Sequence, residues 1–307
     1  MTNTSRRTVL ASVAAVAAGL PTLNAVVGNG ATPAAAADTF VSNTKLYSDG
    51  TYKEGVDYMR RYRIGAPVVT DNDRYASVPL NSTAVLAPHG GGIEAGTSEL
   101  CMAVAGYTPF DYGLDVDPSS AAVAGEVQRD FWMFEALTHS SDQHVTSTHC
   151  DDPAALAVCA NNLYAVSLHG YSDTGQRKVI IGGRDERLKR NLAASFENCG
   201  ISPYVGNTDW NVVVEVAGAD DPINGDDPAN IINRTRTGGG AQLEMSTALR
   251  SAMFGDFSTG SQRRKTAGRP STDSPYADRL WNGFVKAVRD AMRNHELGQD
   301  PQYYPKA

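Results

Sequence analysis

Three segments of this chain combine histidine, carboxylate and glycine in patterns suited to holding a cation. The first reads Ala87-Pro88-His89-Gly90-Gly91-Gly92-Ile93-Glu94-Ala95-Gly96-Thr97-Ser98-Glu99-Leu100. A neutral imidazole and a carboxylate on such a turn can grip a divalent cation such as zinc from one side, while the glycines let the backbone turn sharply and clear space for a substrate. A plain tight turn is the competing reading. The second segment, Val166-Ser167-Leu168-His169-Gly170-Tyr171, repeats the pattern of an apolar run ending in His-Gly. Alone, His169 reads as a hydrogen-bonded core histidine. Joined to His89 and Glu94 it gives two imidazoles and one carboxylate, the three protein ligands common in catalytic zinc sites. Glu99 is a rival carboxylate, but it falls inside an expected helix. The third segment, Gly238-Gly239-Gly240-Ala241-Gln242-Leu243-Glu244-Met245-Ser246, sets Glu244 among apolar residues. Burial raises a carboxyl pKa toward the range useful to a general base, and a structural ion pair with Arg234, Arg236 or Arg250 is the alternative.

Each of these segments follows or contains a strand-like run. Apolar, β-prone stretches recur at 83–87, 131–134, 163–168, 179–181, 211–216 and 241–245. Between them lie helical patterns. One opens near Thr97 or Ser98 and runs to Ala105; a second spans 184–198 with Leu188, Leu192 and Phe196 on one face and Gly200 as its stop. A third covers 275–295 with Leu280, Phe284, Val288 and Met292 in line. This alternation predicts a single α/β domain with a mixed, mostly parallel central sheet flanked by helices. In such sheets ligands sit beyond the carboxyl ends of strands, where His89 and His169 fall. Residues 220–228, 237–240 and 258–274 read as loops.

The chain opens Ser5-Arg6-Arg7-Thr8-Val9-Leu10, followed by an alanine-rich apolar run and Ala35-Ala36-Ala37 before Asp38. This predicts a twin-arginine export signal over 1–37, an N-terminal extension over 38–74, the main domain over 75–296 and a tail over 297–307, with delivery to the cell envelope or the medium. Losing the signal would leave 25 basic against 34 acidic residues, moving the net charge from −7 to −9. Such an acidic protein is a poor fit to nucleic acid, and no segment beyond the signal is apolar enough to span a bilayer. Four cysteines, Cys101, Cys150, Cys159 and Cys199, permit up to two disulfides in an exported chain, with Cys150–Cys159 the nearest pair in sequence. Their spacing lacks the Cys-x-x-Cys of a structural zinc site.

Taken together, the motifs resemble the poly-gamma-glutamate hydrolase family of bacteria and their phages, a branch of the zinc carboxypeptidase-like superfamily. The resemblance rests on His-Gly-Gly-Gly-Ile-Glu-x-Gly-Thr-Ser-Glu at 89–99, His-x-Thr-Ser-Thr-His at 144–149 followed by Asp151-Asp152-Pro153, and Ser-x-His-Gly-Tyr at 167–171. It continues through Gly-Gly-x-Asp at 182–185, Asn-x-x-Asn-Arg at 230–234 and Gly-x-Gln-Leu-Glu at 240–244. It implies a carboxypeptidase-like fold, zinc held by His89, Glu94 and His169, Glu244 as general base, and an anionic polyglutamate as substrate. Peptidoglycan, which also contains gamma-linked glutamate, is the second substrate class; a non-catalytic binding protein on the same fold is the third reading.

Amide hydrolysis develops negative charge on the carbonyl oxygen, which a cation should meet. Arg234 is the first candidate and Arg184 the second, and either is suited to pairing a substrate carboxylate instead. Carboxypeptidases of the superfamily carry an Asn-Arg pair between the carboxylate ligand and the last histidine to bind a terminal carboxylate. Here that interval holds only Gln128-Arg129, which favours cleavage inside a chain. A polyanionic substrate also calls for compensating positive charge, for which Arg184, Arg187, Lys189, Arg190 and the 263–269 segment are the candidates. His144, His149, Asp151 and Asp152 are a conceivable second metal set, though supporting roles for the two histidines fit better.

Overall fold

In the computed structural model, residues 38–65, 83–109, 122–199 and 212–301 are described. The export signal, the 75 boundary, the Gly200 stop and most of the tail lie outside them. The described residues fall in one compact unit built on a seven-stranded sheet. In chain order the elements are α1 (Asn43–Asp49), β1 (Tyr58–Arg63), β2 (Thr83–Gly91), α2 (Thr97–Val104), β3 (Phe131–Ala136), α3 (Pro153–Asn161), β4 (Tyr164–Tyr171), β5 (Lys178–Gly183), α4 (Glu186–Asn198), β6 (Val213–Val216), β7 (Ala241–Ser246), α5 (Thr247–Ala252), α6 (Gly260–Thr266) and α7 (Ala277–Glu296).

The strand order is β1-β3-β2-β4-β7-β5-β6. Strands β3, β2, β4 and β7 run parallel. β1 is antiparallel at one edge, and β5 with β6 reverses direction against β7. Alternation divides the side chains between two cores. Val85, Ala87, Met133, Val166, Leu168 and Leu243 point to the layer holding α2, α4 and α7, where Leu188, Leu192, Phe196, Leu280, Phe284, Val288 and Met292 are buried as their spacing predicts. Ala84, Leu86, Trp132, Phe134 and Ala165 point to the other layer, against α1, α3, Ile231 and Ile232. Full burial of a side chain such as Phe134 contributes about 2–3 kcal/mol. Among the described residues no helix is long and apolar enough to cross a membrane.

Two segments depart from the expectation. Residues 38–65 do more than pack on the domain: β1 joins the sheet edge, with Tyr58 stacked on Tyr47 and Phe134 at 5.3 Å each. The 258–274 loop contains helix α6, capped by the Thr259 hydroxyl, which accepts from the Gln262 amide. All four cysteines are free thiols. Cys159 donates to the Ile231 carbonyl instead of bonding Cys150, so the pairing favoured by sequence proximity does not form.

Candidate metal centre

The parallel pairing of β2 with β4 covers only Thr83 to Leu86 against Tyr164 to Ser167. Beyond Leu86, Pro88 offers no amide hydrogen to a ladder, and the β2–β3 register shifts between Ala87 and Gly90. The two strands therefore part at their carboxyl ends, and His89 and His169 occupy the opening. Gly91 turns the chain at φ 68°, against the backbone of Ala136, a conformation and a closeness that only glycine tolerates. The turn brings Glu94 back, and its amide is fixed by the His89 carbonyl at 2.8 Å. On the far side of β4, His169 is in register with Glu244 of the parallel strand β7. Parallel neighbours in register share a face, so Glu244, Gln242 and His169 all point into the same cleft.

The geometry of the ligand candidates is specific. His89 Nδ1 lies 2.8 Å from Glu94 Oε1 and 3.2 Å from His169 Nδ1, and His169 Nδ1 lies 3.5 Å from Glu94 Oε2. His89 Nε2 donates to the Val145 carbonyl at 2.9 Å, so in the neutral ring Nδ1 carries the lone pair. Two imidazole nitrogens and a carboxylate oxygen thus converge as acceptors on one point. Their separations bracket the edge of about 3.3 Å expected between ligands of a tetrahedral zinc site with bonds of about 2.0–2.1 Å. The donor set fits a zinc ion. Supporting bonds fix it from behind: Gly170 N–H donates to Glu94 Oε2 at 2.9 Å, and the Ser147 hydroxyl sits 3.4 Å from His169 Nε2.

His144 adds a third imidazole. Its ring lies 4.1 Å from that of His89, and one ligand atom each from His89, Glu94 and His144 fall within 4.8 Å of one another. Its Nδ1 pairs with Asp38 at 2.9 Å. The proposed second metal set is otherwise dispersed. Asp151 accepts from the Thr44 amide, Asp152 caps α3 and pairs with Arg60, and His149 is exposed on the far side of Asp38.

Charges within the cleft are strongly linked. Burial pushes the Glu94 carboxyl up, but His89 and His169 outweigh it and hold the group well below the usual carboxylate range. Burial depresses His89, yet the Glu94 carboxylate more than restores it and leaves it raised. Glu244 goes the other way: burial, with help from the Glu94 charge, lifts it to about 7. His144 is pushed down to about 4 by burial and by His89, so its ring is neutral. Glu244 Oε1 accepts from Gln242 Nε2 at 3.1 Å, and it forms no ion pair with Arg234, Arg236 or Arg250. The Arg250 guanidinium instead donates to the carbonyls of Ala95, Met245 and Tyr171. It fills the space where a Cβ at Gly170 would stand. Glu99, the rival ligand, is buried on α2 and pairs with Arg263 at 3.3 Å.

The cleft measures about 660 Å³, and residues 221–227 and Asn230 form part of its wall. Among the described lining residues there is no Arg or Lys, while Asp221, Asp226 and Asp227 are present. Neither expected arginine reaches it. Arg184 follows β5, whose end at Gly183 pairs with Ala241, the start of β7, so it lies at the opposite end of the sheet from Glu244. Arg234 is exposed near the start of β4, where its neighbours Arg236 and Thr237 bond Asn162 and Leu163. Arg129 is buried against Glu296, Arg187 is held by His295 and Lys189 by Glu186. Arg190 is exposed on α4, and Arg263 is committed to Glu99 and the Gly91 carbonyl. The residues that sequence reasoning passed over are Gln242, Asn230, Ser147 and the acidic wall. Gln242 had a signal, since it and Glu244 alternate with three buried apolar residues of β7.

The family model for poly-gamma-glutamate hydrolase matches residues 72–115 and 113–277, about two thirds of the sequence. The chain belongs to the poly-gamma-glutamate hydrolase family. A solved bacteriophage poly-gamma-glutamate hydrolase superposes with a TM-score of 0.62 at 25% identity, covering 86% of this chain and 100% of that one. The zinc-free apo form of YndL gives 0.59 at 26% identity over 84% of this chain and 99% of that one. By sequence, this hydrolase-family chain is 34% identical to the UPF0714 protein YndL of Bacillus subtilis over 58% of each chain. It is 31% identical to the prophage-derived YoqZ of the same organism over 56% of this chain and 52% of that protein. The aligned region thus spans little more than half the length of these curated relatives.

Proposed function

We propose that this hydrolase-family chain is an exported, zinc-dependent enzyme that cleaves gamma-glutamyl amide bonds inside poly-gamma-glutamate. The observation that carries the reading is the convergence of His89 Nδ1, His169 Nδ1 and the Glu94 carboxylate, with Glu244 in register beside His169. The zinc-free YndL structure supports the choice of metal. When bound, zinc supplies a Lewis acid that polarises a carbonyl and acidifies water. Glu244 accepts the proton of the attacking water and delivers it to the departing amine. Burial raises its pKa in the metal-free cleft, and the Gln242 bond to Oε1 leaves the other carboxylate oxygen for the proton. In place of the expected arginine, the cleft presents neutral donors such as Tyr171 to the developing charge. The described lining, without Arg or Lys, offers nothing to grip a terminal carboxylate by a two-pronged bond, which supports internal cleavage.

The same lining favours a second reading of the substrate. Three aspartates around the cleft repel a polyanion, so a gamma-glutamyl amide in a less charged setting, as in peptidoglycan, is the competing substrate class. The test is incubation of exported protein with each polymer, with chelator and after zinc is restored. Chelator-sensitive shortening of poly-gamma-glutamate into fragments of intermediate size supports the proposal. Cleavage of peptidoglycan alone moves the substrate, and cleavage of neither removes the enzyme reading. The mass of the same secreted protein reads the export expectation, with Asp38 as the first residue.

A further inference from the structure

Asp38 is far from the histidine motifs in sequence, yet its carboxylate holds the segment that backs them. Oδ1 accepts from His144 Nδ1, from the Thr146 amide and from Thr146 Oγ1, each at 2.9 Å; Oδ2 accepts from His149 Nδ1 at 2.9 Å and from the Thr146 amide at 3.0 Å. The clamped residues 144 and 146 flank Val145, whose carbonyl receives the His89 Nε2 proton. The next residue, Ser147, places its hydroxyl at His169 Nε2. One carboxylate therefore stands behind the outer contacts of both ligand histidines, and it also suspends the His144 ring over His89.

We propose that Asp38 is a positioning residue for the metal centre, acting through the 144–147 segment to fix the ring orientation of His89 and His169. This rests on the metal-site reading above. Groups that orient metal ligands from behind typically matter 10- to 100-fold, roughly, in metal affinity. Asn at position 38 keeps the size of the side chain but turns one acceptor into an amide that faces donors. Asp151 supplies the control. Its carboxylate pins the same N-terminal segment through the Thr44 amide and hydroxyl, without touching 144–147.

The experiment measures zinc affinity by chelator competition on the full chain, together with the histidine ring nitrogens by NMR in the metal-free state. D38N should weaken zinc binding roughly 10- to 100-fold and shift the His89 ring nitrogens away from the Nε2–H form, while D151N stays within about twofold of wild type. If D38N fails a circular-dichroism check of folding, T146V removes a single donor to Asp38 and should weaken zinc several-fold. Wild-type zinc affinity in D38N, or in T146V where that is the variant used, overturns the proposal. Equal weakening by D151N does so too, since docking of the segment would then matter and not the carboxylate. If the wild type binds no zinc, the metal reading fails by itself, and the ring shift in D38N still decides whether Asp38 orients His89.

Discussion

Replacing Glu244 by glutamine separates metal binding from proton transfer. The substitution preserves size, and the new amide can keep its oxygen toward Gln242 Nε2, accepting the hydrogen bond that Glu244 Oε1 accepts now at 3.1 Å. The three acceptors that converge on the metal position are untouched. A general base contributes roughly 10²- to 10⁴-fold to rate, about 3–5 kcal/mol of barrier, and E244Q should lose that much in kcat with zinc content unchanged. Stability should move the opposite way. The Glu244 carboxyl is raised from 4.5 to about 7 by burial and by the Glu94 charge, so between those values the folded protein holds a proton that the unfolded chain has released. Stability of the metal-free protein therefore falls as pH rises through that window. E244Q removes this penalty, of order 1–3 kcal/mol at pH 8, and should melt higher than wild type there while matching it more closely near pH 4. The assays are polymer hydrolysis, elemental analysis of purified protein, and thermal melts of the chelated form. Retention of more than a tenth of wild-type kcat, or loss of zinc together with activity, would refute the assignment.

The ligand assignment predicts that H89A and H169A each purify without stoichiometric zinc by elemental analysis and fall to the activity of chelated wild type; either variant retaining both would break the set. The acidic wall predicts an unusual salt response. Raising NaCl from about 20 to about 200 mM shortens the screening length from roughly 20 to 7 Å, so kcat/KM on poly-gamma-glutamate should rise several-fold, and a fall would mean that a cationic surface elsewhere steers the polymer. Because the sheet carries Arg184 and Arg234 away from the cleft, R184A and R234A should each change kcat and KM by less than about twofold in the same hydrolysis assay. A loss beyond tenfold in either would return that arginine to the site.

What was legible in this sequence is what local pattern dictates. Strands of the central sheet read as short apolar runs, and the six found in that way correspond to β2 through β7, each within a few residues at its ends. Their carboxyl ends carry His89 and His169, so the ligand candidates followed from element positions plus residue chemistry. β1 was hidden because Tyr58-Met59-Arg60-Arg61-Tyr62-Arg63 looks polar. As an edge strand it has no second neighbour to pair with among the described residues, and Arg60 and Arg61 are spent on Glu54, Asp152 and Glu135. Asp38 was equally invisible, since its role depends on a contact across more than a hundred residues.

Arg184 was misplaced for a topological reason. Arg184 follows an apolar strand just as His89 and His169 do, and a wholly parallel sheet would have put all three at one end. β5 instead lies antiparallel to β7, with Gly183 opposite Ala241 and Val179 opposite Met245. That reversal sends Arg184 to the far edge and brings the opposite end of β5 alongside Glu244. Strand direction is set by long-range pairing and leaves no trace in a short apolar run, so residue type and strand position select candidates without deciding which of them meet. With Arg184 carried to the other end, the described lining holds the carboxylates of Asp221, Asp226 and Asp227 and no arginine or lysine. On the proposed reading, a cleft whose described lining carries no cation would recognise a gamma-glutamyl chain by its amide backbone and not by paired charges, which is the arrangement expected of a site that cuts within the chain.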